Sequence, residues 1–242
     1  MPRARLSGER RRNLDCQTRA ILFDLDGTLI DSTDLILRCF QHSWETVCGF
    51  RHSREALVQT FGTPLRDAMY GLLVTARGSK ARGDSAEVDN RTVERLLAEY
   101  RAFNVANHDL LARPFARTGE VLSELRRRGY VISVVTSKSR ELGLRGLRLY
   151  SLDALIDSAV FLEDTNVHKP NPEPILAALH RLSEDAQAAA YVGDSRHDIV
   201  AARAAGVRSV AALWGPSPRT ELELERPDFT AESITDLLEI FT

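Results

Sequence analysis

The chain has 242 residues, enough for one large domain or for a core domain with a smaller second one. A hydrophobic fraction of 43% supplies a sizeable core, and a formal net charge of -2 argues against a protein whose whole surface binds nucleic acid. No window approaches the roughly 18 apolar residues of a membrane-spanning helix, so we predict no membrane partner. The net charge likewise leads us to predict no nucleic-acid partner.

Residues 1–18 form an Arg-rich start that lacks the apolar segment of a secretory signal, and we predict a flexible extension there. The cysteines Cys16, Cys39 and Cys48 are odd in number and lack the spacing of a zinc site. This cysteine usage favours a reducing, cytoplasmic location. The sequence leaves open whether the protein is a monomer or a homodimer.

The first strong structural signal is the apolar run 20–23, which ends in Asp24-Leu25-Asp26-Gly27-Thr28 and predicts a buried strand followed by a polar turn. Further predicted strands lie at 130–135, 159–162, 190–192 and 209–213. Helical patterns separate them at 119–128, 141–149, 174–182 and 199–205. Strands separated by single helices imply a parallel sheet, so we predict an α/β, Rossmann-like core flanked by helices.

The segment 34–108 interrupts this alternation with helical periodicity at 34–47, from 64 onward and at 92–105. Such a segment cannot belong to the sheet, and we predict a smaller helical cap inserted after the first strand. The core would then comprise 19–33 and 109–242. Residues 75–90, rich in Gly, Ser and charge, are expected to form a loop or an insertion in the cap.

Polar clusters follow three of the predicted strands. Asp24 and Asp26 come after the first, Thr136 and Ser137 after the second, and Asp194 and Asp198 after the strand at 190–192. Ligands of parallel α/β sheets gather at the carboxyl ends of the strands. The sequence therefore predicts that one site collects these side chains.

Asp24 and Asp26 lie two residues apart on an extended segment, so their side chains point to the same side and both can reach one phosphorus atom. An anionic substrate requires a bridging cation, for which Mg²⁺ is the natural choice among oxygen ligands. One carboxylate could attack phosphorus while the other gives a proton to the leaving oxygen and later takes one from water. Gly27 would let the backbone approach the phosphate, although a helix-capping turn would also use these residues.

The other clusters have structural alternatives. Thr136 and Ser137 could cradle an anion or cap the next helix. Lys169, in a Pro-rich turn, could offset phosphoryl charge or face solvent. Asp194 and Asp198 could share one cation, the latter directly or through water, or could complement a helix dipole. The residues between them, Arg196 and His197, are predicted to lie at the surface.

In order along the chain, Asp24-Leu25-Asp26-Gly27-Thr28, Thr136, Lys169 and Gly193-Asp194 with Asp198 resemble the four motifs of the haloacid dehalogenase superfamily. The resemblance implies Mg²⁺ and an aspartyl-phosphate intermediate, with Asp24 as nucleophile, Asp26 as acid/base, and phosphate bound by Thr136 and Lys169. It also implies that Asp194 and the main-chain carbonyl of Asp26 are metal ligands. Asp24 is predicted to bind the metal as well, and Lys169 to be catalytic. Gly27, Thr28 and Ser137 belong to the implied phosphate site, and Asp198 to the implied metal site.

The position of the helical segment resembles the phosphoglycolate-phosphatase-like branch. Segments 61–67, 100–104 and 226–229 are similar to those of bacterial pyrophosphatases in this branch. The expected function is hydrolysis of a small phosphate compound, phosphoglycolate or pyrophosphate, with Arg66 as a cap-side substrate contact. A phosphosugar mutase using the same acids and a non-catalytic ligand sensor are the alternatives.

Overall fold

The computed structural model describes residues 18–77 and 85–242. The predicted extension at 1–18, with Cys16, lies outside the described residues except for its last residue. The middle of the predicted insertion at 75–90 is also outside them. The ends of that segment are helical, since Thr75 lies in the last turns of one helix and residues 85–90 begin the next. The prediction of a loop was therefore wrong at both ends, where charged residues hid the helical periodicity.

The core is a parallel sheet of six strands in the order β5-β4-β1-β6-β7-β8. The strands are β1 Ala20–Phe23, β4 Val131–Val135, β5 Ser158–Val160, β6 Ala189–Gly193, β7 Arg208–Ala212 and β8 Phe229–Ala231. The helices of the core are α5 Thr118–Arg127, α6 Arg140–Leu149, α7 Glu173–Leu182, α8 Arg196–Ala204, α9 Arg219–Leu224 and α10 Leu237–Ile240. The predicted α/β class is confirmed.

The first strand is central because both of its faces are apolar. Ile21 and Phe23 belong to the larger apolar cluster, whereas Ala20 and Leu22 belong to a second one that also contains Ile175. Alternate residues of a strand point to opposite faces, and a parallel sheet covered on both faces needs apolar residues at every position. The sequence Ala-Ile-Leu-Phe meets that requirement. Asp24, which follows it, therefore lies at the carboxyl end of a strand in the interior of the sheet, between β4 and β6.

Among residues 18–77 and 85–242, four helices lie between the first strand and the rest of the core. They are α1 Thr33–Cys48, α2 Arg54–Val58, α3 Leu65–Arg77 and α4 Ser85–Leu111. The chain enters and leaves this helical segment through a short antiparallel ribbon formed by β2 Ile30–Asp31 and β3 Arg113–Pro114. Phe40 of α1 packs edge-on against Tyr100 of α4, with ring centroids 5.2 Å apart. Helices α1 and α4, the two longest, thus share one apolar interface.

Several short elements were not predicted from the sequence. The strand expected at 159–162 is Ser158–Val160, and Leu162–Asp164 forms a 3-10 turn instead. Other 3-10 turns lie at Asp153–Leu155, Ala186–Ala188 and Ile234–Asp236. Helices α2, α9 and α10 and strand β8 have six residues or fewer, too few to establish a period in the sequence.

Candidate active site

The carboxyl ends of β1, β4 and β6 meet at one edge of the sheet. Phe23 is in register with Val134 on one side and Val192 on the other. The next residue, Asp24, donates its main-chain N–H to the carbonyl of Val192 at 2.9 Å. Asp194 follows β6 and Thr136 follows β4, so the topology brings the predicted clusters of these three strands together.

Lys169 is buried at the centre of this site, with 3% of its surface exposed. Its ammonium lies 2.8 Å from Asp24 Oδ1, 2.6 Å from Asp198 Oδ1 and 2.9 Å from the hydroxyl of Tyr191. Burial works to lower the pKa of Lys169, but Asp198 and Asp24 outweigh it and hold that pKa well above its usual value. The lysine is a fixed positive charge, and the solvent-facing alternative is wrong.

Three buried carboxylates form an acidic cluster, Asp24, Asp194 and Asp198, whose nearest oxygens lie within 4.8 Å of one another. Burial raises the pKa of Asp24 to about 7; Lys169 opposes this rise, and the charge of Asp198 adds to it. Burial, with Asp24 and Asp198 as neighbours, also raises the pKa of Asp194 well above its usual value. An all-oxygen site with this excess of negative charge fits a hard divalent cation.

Asp198 is held differently from the other two acids. Its Oδ1 accepts from Lys169 and from Tyr191 at 3.2 Å, and its Oδ2 accepts from the main-chain N–H and hydroxyl of Ser195 at 2.9 and 2.6 Å. Asp24 and Asp194 line the cavity described below, and Asp198 does not. The structure therefore supports the helix-terminus alternative for Asp198, which closes a capping box with Ser195 at the start of α8.

The carboxylate of Asp26 is turned to a separate pair of partners. Lys138 approaches its two oxygens at 2.7 and 3.0 Å, and the hydroxyl of Ser32 lies 2.6 Å from Oδ1. Asp26 lines the same cavity as Asp24, but its side chain is not part of the acidic cluster. No role was predicted for Lys138 from the sequence. A lysine two residues beyond the strand-end Thr136 was the available signal.

Gly27 and Thr28 lie behind Asp194 rather than on the cavity wall. The Thr28 hydroxyl donates to Asp194 Oδ1 at 3.0 Å. Gly27 has φ 86°, and a Cβ there would fall 2.6 Å from Asp194 Oδ2. Gly215, for which no role was predicted from the sequence, is also close to Asp194, since a Cβ there would fall 2.3 Å from the Cβ of Asp194. These residues shape and hold the space that Asp194 occupies, and the phosphate contact of Gly27 and Thr28 stays a prediction.

Thr136 and Ser137 both line the cavity, as the anion-cradle prediction requires. The hydroxyl of Ser137 is buried and has no hydrogen-bond partner among the described residues. Thr136 Oγ1 accepts the main-chain N–H of Lys138 at 3.2 Å. The helix that follows begins later, with Ser139 at its N-cap. Helix capping by Thr136 or Ser137 is therefore not observed.

A cavity of about 540 Å³ lies between these strand ends and the helical segment. Its wall on the helical side is formed by Ile36, Phe40, residues 60–63, Leu65, Tyr100, Arg101, Asn104 and Val105. Arg66 is not among the lining residues; it pairs with Glu94 on α4, and both side chains are exposed. Arg66 therefore lies on the outer surface of the helices, away from the cavity wall, and its contact with a substrate stays a prediction.

His197, predicted to lie at the surface, is half-buried instead. A Cβ added to Gly62 of the helical segment would fall 3.1 Å from its Nδ1, and that nitrogen has no partner among the described residues. The loop around Gly62 therefore rests on the start of α8, next to Asp194.

Within 18–77 and 85–242, no helix combines the length and apolar character that crossing a membrane requires.

The fold and the acidic site define a hydrolase of the α/β type, and comparison with known proteins gives its family. Residues 21–212 match the family of haloacid dehalogenase-like hydrolases, so the chain belongs to that family. The resemblance drawn from the four motifs is confirmed.

Two curated relatives and one solved structure illustrate the similarity. A protein of Caldanaerobacter subterraneus subsp. tengcongensis, provisionally named pyrophosphatase PpaX, is 42% identical over 91% of this chain and 93% of its own length. Pyrophosphatase PpaX of Bacillus thuringiensis is 35% identical over 92% of this chain and 95% of its own. A crystal structure from Haemophilus somnus, described as a predicted phosphoglycolate phosphatase, shares the fold with a TM-score of 0.79 at 23% identity, covering 93% of this chain and 99% of that one.

Proposed function

We propose that this hydrolase removes a phosphoryl group from a small phosphate compound, with Mg²⁺ as cofactor and an aspartyl-phosphate on Asp24 as intermediate. The observation that carries the proposal is the contact of buried Asp24 with Lys169, next to Asp194, at the floor of the cavity. A carboxylate nucleophile beside an ammonium and a cation site is suited to a phosphoryl group, whose charge must be offset as it is transferred.

Asp24 and Asp194 would hold Mg²⁺, together with the main-chain carbonyl of Asp26. The ion would neutralise charge on the phosphoryl oxygens and on the attacking carboxylate. Asp198 would contribute through Lys169, whose ammonium it holds at 2.6 Å. This assignment uses the two acids that line the cavity and leaves the third in its capping role.

The steps assigned to the chain follow from these positions. An Asp24 oxygen bonds to phosphorus while the bond from phosphorus to the leaving oxygen breaks, and Asp26 gives that oxygen a proton. Thr136, Ser137 and Lys169 bind the phosphoryl oxygens. Water then attacks phosphorus and Asp26 takes a proton from it, while the bond from phosphorus to the Asp24 oxygen breaks, which releases phosphate and restores the Asp24 carboxylate.

The names of the curated relatives favour inorganic pyrophosphate as substrate. Phosphoglycolate is the second candidate, because it is also small and anionic. We propose that the protein acts in the cytoplasm, where the free thiol of Cys39 agrees with a reducing compartment. We propose that it is a monomer or a homodimer.

The proposal is tested with purified enzyme, Mg²⁺ and a panel of phosphate compounds. We expect phosphate release that stops on chelation, and a loss of at least about a thousandfold in kcat/KM for Asp24→Asn. Acid quenching with a radiolabelled substrate should trap labelled wild-type protein and no labelled Asp24→Asn protein. Asp185→Asn, an exposed acid outside the cavity, is the matched control.

Phosphate release by Asp24→Asn at the wild-type rate would contradict the mechanism. A rearranged sugar phosphate formed with little free phosphate would indicate a mutase. The absence of any turnover or labelling with the whole panel would favour a ligand sensor.

A further inference from the structure

Lys138 and Lys169 line the cavity, and their surroundings differ. The ammonium of Lys169 has acceptors of the protein on all sides, namely Asp24, Asp198, Tyr191 and the carbonyl of Val135. Lys138 has 8% of its side chain exposed, and its ammonium contacts both oxygens of one group, Asp26. An ammonium has three donors, so Lys138 can donate to a ligand in the cavity while keeping contact with Asp26.

The helical segment places a second polar group on the same cavity. Tyr100 and Asn104 lie one turn apart on α4, with exposures of 8% and 3%. Asn104 lies close enough to the phenol of Tyr100 and to the thiol of Cys39 to lower the pKa of both groups against the effect of burial. The amide oxygen of Asn104 is buried and has no partner among the described residues. An anion has no proton to donate to this oxygen, but the NH2 of the same amide can donate to an anion in the cavity.

These groups lie on the side of the site where the leaving group departs. Burial is the main cause that raises the pKa of Tyr100 well above its usual value, and the charges of Cys39 and Asp26 add to the effect, which places the phenol near the proposed acid. Asp26 must reach the leaving oxygen to protonate it. Whatever is bonded to that oxygen therefore lies beside Lys138 and faces α4.

We infer that Lys138, Tyr100 and Asn104 form a leaving-group subsite that selects substrates whose leaving group is itself an anion. The inference rests on the proposed phosphatase function and adds the substrate class. A phosphate or carboxylate on the leaving group would accept from Lys138, from the hydroxyl of Tyr100 and from the NH2 of Asn104. An uncharged aromatic leaving group would make none of these charge-assisted bonds, and its contacts would be with the apolar wall at Phe40 and Phe61.

The test compares two substrates with different leaving groups, pyrophosphate and p-nitrophenyl phosphate. The measured quantity is the ratio of their kcat/KM values. In Lys138→Met this ratio should fall at least about thirtyfold, because a charge-assisted hydrogen bond to the leaving group is lost. Lys138→Arg should restore most of the ratio, and Asn104→Ala should lower it about three- to tenfold.

Arg101→Met tests a different explanation, since Arg101 also lines the cavity but is exposed. If its ratio falls as far as that of Lys138→Met, the selectivity is a general effect of positive charge and the inference is wrong. It is also wrong if Lys138→Met loses activity equally toward both substrates, which would mean that Lys138 only positions Asp26.

Circular dichroism and the melting temperature establish that each variant is folded. Asn104→Ala decides the question if Lys138→Met is not folded, because an unchanged ratio in Asn104→Ala then overturns the subsite. If the wild-type enzyme releases phosphate from no substrate, the proposed function fails and the subsite fails with it. An unchanged ratio in an active enzyme overturns the subsite alone.

Discussion

The charge balance of single residues decides the chemistry of this site. Lys169 is in contact with Asp24 and Asp198, and all three are buried. Burying charges is costly, but removing one partner of a buried pair costs more, because the other charge is left uncompensated. The lysine therefore has two effects that can be separated by experiment, one on the nucleophile and one on the stability of the core.

Lys169→Met is expected to lower kcat/KM by at least about a thousandfold and the free energy of unfolding by about 3 to 5 kcal/mol. Phosphate release and urea denaturation measure the two quantities. Tyr191→Phe is the control, since it removes the hydroxyl that contacts the ammonium, Asp198 and the carbonyl of Val135 but leaves every charge in place, and it should cost about 1 to 2 kcal/mol. Equal stability losses in the two variants would show that the charge of Lys169 is not what holds this centre together.

Gly215 has a steric effect on the proposed metal ligand. A Cβ at this position would lie 2.3 Å from the Cβ of Asp194 and 2.8 Å from the carbonyl oxygen of Gly27. We expect Gly215→Ala to displace Asp194 and to weaken Mg²⁺ binding at least about tenfold, as measured by calorimetry. Gly71→Ala is the control, because nothing lies within 4 Å of its added Cβ. Unchanged Mg²⁺ affinity in Gly215→Ala would remove Asp194 from the ligand set.

At the scale of secondary-structure elements, ion pairs join helices whose sequences are far apart. Asp164 ends the 3-10 turn after β5, accepts the main-chain N–H of Phe161 at 2.8 Å and contacts Arg140 of α6 and Arg181 of α7. Burial works to raise the pKa of Asp164, but Arg181, the main-chain bond and Arg140 outweigh it, so that the pKa is lowered. The carboxylate thus ties two helices to one edge of the sheet in its ionised form.

The lowered pKa fixes the sign of a pH effect. The unfolded chain takes up the proton first as pH falls, so the stabilisation by Asp164 is present above its unfolded pKa, about 4, and is lost below it. Asp164→Asn should therefore lower the free energy of unfolding by about 1 to 2 kcal/mol at pH 7. The difference from wild type should shrink as pH falls through about 4.

Urea denaturation at several pH values measures this difference, with Asp185→Asn as the control. A difference between wild type and Asp164→Asn that stays constant down to acidic pH would show that the ionised carboxylate is not responsible.

At the scale of the whole molecule, the sequence predicted the strand-end acids better than their partners. Asp24 and Asp194 follow apolar runs long enough to be recognised, and a parallel sheet brings such ends together. The pairing of Asp26 with Lys138 spans 112 residues and depends on side-chain rotamers, which no local pattern records. The exposed position of Arg66 was missed for a similar reason, because its partner Glu94 lies on another helix.

One of the contacts between the helical segment and the core lies beside the site. Gly62 has φ 81°, and a Cβ there would lie 2.7 Å from the hydroxyl of Ser195 and 3.1 Å from His197 Nδ1. Ser195 directly follows Asp194 and caps α8. A larger residue at position 62 would therefore hold the helical segment away from the core at the point nearest to the proposed metal ligand.

Gly62→Ala is expected to lower kcat/KM about ten- to a hundredfold, because the cavity wall would no longer close over the substrate. Part of any effect would come from placing a side chain at positive φ, which costs about 1 kcal/mol or more. Gly49→Ala isolates that part, since Gly49 has φ 75° at the end of α1 and nothing within 4 Å of an added Cβ. Steady-state kinetics and melting temperatures of both variants are compared. Two variants that lose equal stability but differ in activity would locate the effect at the contact with Ser195 and His197, whereas equal activities would show that closure at Gly62 does not limit the reaction.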